Sequence, residues 1–253
     1  MSYRIQQGNC LELMKTIPDN HIDMILCDLP YGTTACKWDI VIPFEPLWQE
    51  YKRIIKSGGV IALFGRQPFT SFVVQSNLPW WRYELIWEKD KGTDFGNANR
   101  KPLNAHEAIE IFYDKQPTYN KQMREGTPYV KKNYRNNGED DLNFKSDNSG
   151  LWVNKGERTP TSVLKFARDN IHRGTNLHPT QKPVALLEWL IKTYTNEGDL
   201  VLDNCMGSGS TGIACLNTKR DFLGYELDEE YYKIAEKRMG EHRCELESLM
   251  QIL

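Results

Sequence analysis

Along this chain the apolar positions switch between a two-residue and a 3.6-residue period, and the switches mark the elements. Tyr3-Arg4-Ile5-Gln6-Gln7 has the pattern of a short strand ended by Gly8-Asn9, and Leu11, Met14 and Ile17 then fall at helical spacing until Pro18-Asp19-Asn20. The run Ile22-Asp23-Met24-Ile25-Leu26-Cys27 predicts a buried strand. Residues 46–56 form an amphipathic pattern (Leu47, Tyr51, Ile54, Ile55), with Ser57-Gly58-Gly59 expected as its glycine C-cap. Val60-Ile61-Ala62-Leu63-Phe64 is a continuous apolar run of the kind that fills a parallel sheet. A helix is expected over 68–75 and strands over 83–87 and 108–113, with a loop rich in Gly, Asn, Lys and Arg between the two strands.

The period fades over 114–176, and 133–150 is almost wholly polar, as in a surface insertion. It returns in a helix over 183–194 (Leu186, Leu187, Leu190, Ile191), a strand at 199–203, a glycine-rich turn, a helix opening at 213–216, a strand at 222–226 and a charged helix over 229–245. Strands alternating with helices predict an α/β fold, a doubly wound and mostly parallel sheet. The changes of pattern divide the 253 residues into 1–113, 114–176 and 177–253.

Composition narrows the field modestly. The chain is 40% apolar and 26% charged, with no run of about 18 apolar residues, so a membrane span is excluded and a cytoplasmic location is expected. The six cysteines are scattered without a C-x-x-C pair, which favours buried thiols over disulfides or zinc. The net charge is −2, but 114–176 holds 12 Lys and Arg against 8 Asp and Glu, a net +4, so the remainder carries −6. That segment is suited to a polyanion; a merely solvated basic loop has the same composition.

Two stretches carry candidate chemistry. Asp28-Leu29-Pro30-Tyr31 ends the strand at 22–27, because Pro30 has no N–H to give a sheet. The carboxyl edge of a parallel sheet is where α/β proteins place their sites, although a strand followed by a proline turn would read the same way. The second is Gly207-Ser208-Gly209-Ser210-Thr211-Gly212, a G-x-G-x-x-G between strand and helix, with Glu226 ending the next strand 19 residues after Gly207. Glycines let the backbone approach a ligand, and an acid at that distance can accept from ribose hydroxyls. A nicotinamide dinucleotide and S-adenosylmethionine both fit this turn. The 27 residues after Glu226 leave room for one helix and a tail, so the remaining strands are expected from the N-terminal half. Asp28 would then stand beside the glycine turn in one cleft.

Taken together, these motifs resemble the DNA amino-methyltransferases of the permuted (beta) class, adenine-N6 and cytosine-N4 type, in which the catalytic motif precedes the cofactor motif. Asp28-Leu29-Pro30-Tyr31 is similar to that family's (Asp/Asn/Ser)-Pro-Pro-(Tyr/Phe), departing at Leu29. Asp203-Asn204-Cys205-Met206-Gly207-Ser208-Gly209-Ser210-Thr211 resembles its Asp-Pro-Phe-x-Gly-Ser-Gly-Thr-Thr loop, with Asn204 for Pro. His178-Pro179-Thr180-Gln181-Lys182-Pro183, Gly8-Asn9-Cys10 and Gly224-Tyr225-Glu226-Leu227-Asp228 are similar to three further elements. The likeness runs over 8–113 and 178–240, leaving the middle unmatched.

The resemblance implies a Rossmann-like, circularly permuted methyltransferase fold with 114–176 as an inserted target-recognition region. It implies methyl transfer from S-adenosylmethionine to the N6 amino group of an adenine flipped out of DNA. Asp28 and the Leu29 main-chain carbonyl would each accept one N–H of the amine, Pro30 would fix the turn, and Tyr31 would stack on the base. Asn9, Cys10, Asp203, Asn204, Gly207, Ser208, Gly209, Ser210, Thr211 and Glu226 would hold the cofactor. Thr180 and Lys182 would meet its methionine carboxylate, although Lys182 also reads as a helix start. DNA contacts are expected from Lys37 and Trp38 in the 32–39 loop and from Arg124, Tyr129, Lys131, Lys132 and Arg135. Asp at the first motif position favours adenine over cytosine. Bacterial or phage origin and a cognate restriction endonuclease as partner also follow from the resemblance, with monomer and homodimer both open.

Other readings stay open at this level. They are a cytosine-N4 enzyme, a methyltransferase of RNA or protein glutamine, an NAD-dependent oxidoreductase, and a module that binds DNA without turnover. His106-Glu107 and His178 invite a metal reading but lack ligand spacing, so no metal is expected.

Overall fold

The computed structural model describes residues 2–32, 40–132, 151–169 and 181–250, in two compact units: Met1–Asn120 with Ser162–Leu253, and Lys121–Thr161. In the larger unit the elements run β1 (Tyr3–Gln7), α1 (Cys10–Met14), β2 (Ile22–Cys27), α2 (Phe44–Ile54), β3 (Ile55–Gly65), α3 (Phe69–Ser76), β4 (Trp81–Thr93) and β5 (Asn104–Phe112). The smaller unit holds β6 (Arg124–Glu125), β7 (Tyr129–Lys132), β8 (Leu151–Asn154) and β9 (Glu157–Arg158), paired antiparallel as β6 with β9 and β7 with β8. The chain then returns to the larger unit with β10 (Val163–Lys165), α4 (Val184–Tyr194), β11 (Leu200–Asp203), α5 (Ser210–Asn217), β12 (Asp221–Glu226) and α6 (Glu229–Met250).

Eight strands form one sheet in the order β1-β12-β11-β2-β3-β5-β4-β10. Neighbouring strands are parallel except where β5 meets β3 and β4. Alternation along the strands divides the core. Met24, Leu26, Val60, Ala62 and Phe64 face α4, α5 and α6, while Ile25, Cys27, Ile61 and Leu63 face α1, α2 and α3. On α4, Leu186, Leu187, Leu190 and Ile191 are buried, each contributing about 1.5–3 kcal/mol relative to exposure. At the start of α6, Asp228 Oδ1 accepts from the Glu230 and Tyr231 amides at 2.9 and 3.1 Å, and Glu229 and Glu230 add negative charge at that end of the helix dipole.

This order positions the site. Strand β11 lies between β12 and β2, so Asp203, Glu226 and the residue after Cys27 emerge side by side at one carboxyl edge. Strand β5 runs the other way, with Ala108 opposite Gly65, so it brings its beginning, near Glu107, to that same edge. Two local expectations are corrected. Ser57-Gly58-Gly59 does not cap α2: the helix ends at Ile54, Ile55 turns to extended backbone (ψ 137°), and the glycines lie inside β3, whose pairing with β2 shifts register there. Helix α2 also starts before Pro46, which a first turn tolerates because its N–H has no intrahelical partner. Within 114–176, β10 joins the main sheet beside β4.

Candidate active site

At the carboxyl edge lies a cavity of about 420 Å³, whose lining includes Gly8, Asn9 and Cys10, the whole Asp28–Tyr31 tetrapeptide, Lys182, Asp203 to Ser208, Ser210, Thr211 and Glu226. The two candidate stretches therefore share one space. Ile40 and Val41, both exposed and apolar, also line it.

Asp28 follows directly on β2, and both its oxygens are held. The Tyr31 hydroxyl donates to Oδ1 at 2.5 Å and Lys182 Nζ to Oδ2. The Tyr31 ring packs on Phe69, centroids 4.9 Å apart. Leu29 contributes its side chain to the core at 3% exposure, so its departure from the expected proline sits in packing. Lys182 is 7% exposed, and besides Asp28 it reaches Glu107 Oε2 at 3.3 Å and lies over the Phe64 ring at 5.2 Å. Glu107 Oε1 in turn accepts from Lys89 at 2.5 Å. Two ammonium groups and two carboxylates thus alternate along a buried line, which offsets the cost of burying each.

Their proton affinities follow from that line. Burial pushes the Asp28 carboxyl above its ordinary range, and the Lys182 ammonium pulls it back. Burial pushes Glu107 the same way, but Lys182 and Lys89 outweigh it and hold Glu107 below its usual value. Burial disfavours the Lys182 charge, yet Asp28 and Glu107 more than compensate.

The glycine turn is tied to both neighbouring strands. Gly207 N donates to Glu226 Oε2 at 2.8 Å, and Asp228 N to Oε1 at 2.9 Å. Asp203 Oδ2 accepts from Thr211 Oγ1 at 2.6 Å and Oδ1 from Cys205 N at 3.1 Å; burial raises its pKa to about 6. Gly209 has φ +79°, the left-handed region that glycine occupies without cost. A Cβ on Gly212 would lie 2.4 Å from Met239 Cε and 2.9 Å from Phe222 Cε1, so the third glycine allows α5 to approach α6 and β12.

Other expected residues fall as follows. Asn9 Oδ1 caps α1 through Leu11 N at 2.9 Å, and Cys10 is buried behind it. Asn204 Oδ1 accepts from the Tyr51 hydroxyl at 2.5 Å. Ser208 and Ser210 are buried, and Arg238 Nη1 of α6 donates to Ser208 O at 3.1 Å and Ser210 Oγ at 2.9 Å. In the smaller unit Arg124, Tyr129 and Lys131 are exposed, and the Arg158 guanidinium lies over the Tyr129 ring at 4.8 Å. Lys37, Trp38, Arg135, Thr180 and His178 lie outside the described residues, as does the Lys132 side chain. Among the described residues no group of His, Cys, Asp or Glu is placed to hold a metal, and no helix is long and apolar enough to cross a membrane.

Sequence reasoning missed Lys89 and Arg238, and weighed Glu107 only with His106 as a metal candidate. The signal for Glu107 was faint: a carboxylate just before the run Ala108 to Phe112, which carries a second one at Glu110.

The chain matches a family model described as DNA methylase over residues 22–237. It is 30% identical over 267 residues to Type II methyltransferase M.HinfI of Haemophilus influenzae, covering 94% of this chain and 68% of that protein. It is 28% identical over 263 residues to Type II methyltransferase M.HpaI of Haemophilus parainfluenzae, covering 94% and 74%. Its fold is similar to the M1.HpyAVI–SAM complex, with TM-score 0.65, 22% identity and coverage of 94% and 98%. It is also similar to PvuII DNA methyltransferase (cytosine-N4-specific), with TM-score 0.68, 15% identity and coverage of 93% and 85%.

Proposed function

The chain belongs to the N6/N4 DNA methylase family, and from that premise we propose that it transfers a methyl group from S-adenosylmethionine to the N6 amino group of an adenine flipped out of DNA. The observation that carries this reading is the placement of Asp28 and the Gly207 turn on one cavity, at the ends of neighbouring strands β2 and β11.

The residues present fit the cofactor. Glu226 ends β12 on the cavity and would accept from the ribose hydroxyls, and Asn9 and Cys10 would meet the adenine side. The main chain of Gly207 to Thr211 would run close to the methionine part. When bound, S-adenosylmethionine supplies an electrophilic sulfonium methyl.

The chain's own task is the nucleophile. The lone pair of an adenine amine is delocalised into the ring and attacks poorly. Asp28 and the Leu29 carbonyl would each accept one N–H, drawing the nitrogen toward tetrahedral geometry. An ionised carboxylate has about four lone-pair positions, so Asp28 can take this bond while Lys182 and Tyr31 stay in place. The attack needs positioning and electrostatics and no covalent enzyme intermediate. Asp28 or water takes the proton. Flipping the base costs a few kcal/mol, which stacking on Tyr31 would offset.

The order of motifs, Asp28 before Gly207, supports a circularly permuted methyltransferase. The smaller unit, inside the 114–176 insertion, is assigned to target recognition: Arg124, Lys131, Lys132 and Arg135 on phosphates, Tyr129 as a stacking surface, with Lys37 and Trp38 from the 32–39 loop. A Type II restriction–modification setting rests on the names of the relatives. The test is Asp28→Ala, which should keep S-adenosylmethionine binding and lose methyl transfer; full activity would end this mechanism.

A further inference from the structure

We infer that Lys182 and Glu107 read the ring edge of the flipped base beside its amino group, and that Glu107 is the residue that turns cytosine away. The inference rests on the adenine reading above and adds the groups that would enforce it.

Asp28 Oδ2, Lys182 Nζ and Glu107 Oε2 stand in sequence on the cavity, an acceptor, a donor and an acceptor. Glu107 is 8% exposed and Oε1 is committed to Lys89, whereas Oε2, although 3.3 Å from Lys182, accepts no aligned hydrogen bond. Glu107 lines the cavity, and its Oε2, itself closed off from solvent, keeps acceptor capacity that is costly unless a bound group makes use of it. Phe64 fixes Lys182 from one side, leaving the ammonium between the two carboxylates.

The edges of the two candidate bases differ only at the third place. Adenine presents its amino group, the N1 acceptor and then C2–H. Cytosine presents its amino group, the N3 acceptor and then the O2 carbonyl. With the amine on Asp28, the ring nitrogen of either base accepts from Lys182. At the third place adenine offers a C–H, which a carboxylate tolerates as a weak donor. Cytosine sets a carbonyl oxygen against Glu107 Oε2 with no proton between them, and in a buried site that repulsion is weakly screened. No covalent step is involved; this is selection by the edge of the base.

The experiment compares three duplexes built on the enzyme's mapped site, with adenine, cytosine or 2,6-diaminopurine at the target position. Each is assayed for kcat/KM with the wild type and with Glu107→Gln. The wild type should prefer adenine over cytosine by about a hundredfold or more. Glu107→Gln, whose amide can donate to O2, should shrink that ratio by about tenfold or more through a gain on cytosine. An unchanged ratio overturns the inference, because a merely structural role would lower both rates together. Should the variant fail to fold, the wild type alone decides: 2,6-diaminopurine places an N–H at the third position and should be used at least as well as adenine, and its rejection overturns the inference. A wild-type product of N4-methylcytosine on natural DNA would instead remove the adenine reading, and it is read separately from the variant's ratio.

Discussion

Lys182 and Asp28 lie 154 residues apart in sequence, and Lys182 Nζ donates to Asp28 Oδ2 where both line the cavity. The pair joins the segment that leads into α4 to the end of β2. Besides the base contact inferred above, Lys182 braces the carboxylate: its charge opposes the burial that pushes the Asp28 carboxyl above its ordinary range.

Lys182→Met should therefore move the acid limb of the single-turnover rate. Ionised Asp28 is the stronger acceptor and can also take the proton, and its pKa already stands above the ordinary range; without the ammonium it rises further. The rate is then lost at pH values where the wild type is still on its plateau, and part of it returns as pH rises. S-adenosylmethionine affinity, by calorimetry, should change little. Weakened affinity with an unmoved pH profile would assign Lys182 to the methionine carboxylate instead.

Glu226→Ala should weaken S-adenosylmethionine by about ten- to a hundredfold, from the roughly 1.5–3 kcal/mol carried by hydrogen bonds to a charged group. The variant also releases Gly207 N, which the carboxylate holds at 2.8 Å, so the glycine turn should loosen. Unchanged affinity would remove the ribose role.

Gly212→Ala tests the packing beneath the turn. Its Cβ would fall 2.6 Å from Met239 Sδ and 2.9 Å from Phe222 Cε1. The methionine can swing aside, but Phe222 is 2% exposed and held by the sheet. Overpacking of this kind costs about 1–3 kcal/mol, read as a lower urea midpoint with an unchanged slope.

Much of this was legible in the sequence where local signals agree. The run Ile22 to Cys27 is apolar but for Asp23 and is followed by Pro30, and the strand has those bounds. Glu226 and the glycine turn lie as their spacing requires, because strand, turn and helix together fix where the acid can stand. The Gly58-Gly59 pair misled because glycines after an amphipathic run serve equally as a helix cap or as a bulge, and the choice is made by pairing with β2, which is not local. Glu107 was hidden for the same reason. Its partners Lys89 and Lys182 come from other elements, and only the antiparallel course of β5 brings it to the carboxyl edge. Arg238 reads as one more charge on a polar helix until α6 is laid against the Ser208–Ser210 backbone.

The central claim is tested most directly by the product itself. The protein is incubated with DNA and S-adenosylmethionine carrying a tritiated methyl group, and the DNA is digested to nucleosides and separated. The account predicts label in N6-methyladenine; label in N4-methylcytosine, or none in DNA, would contradict it.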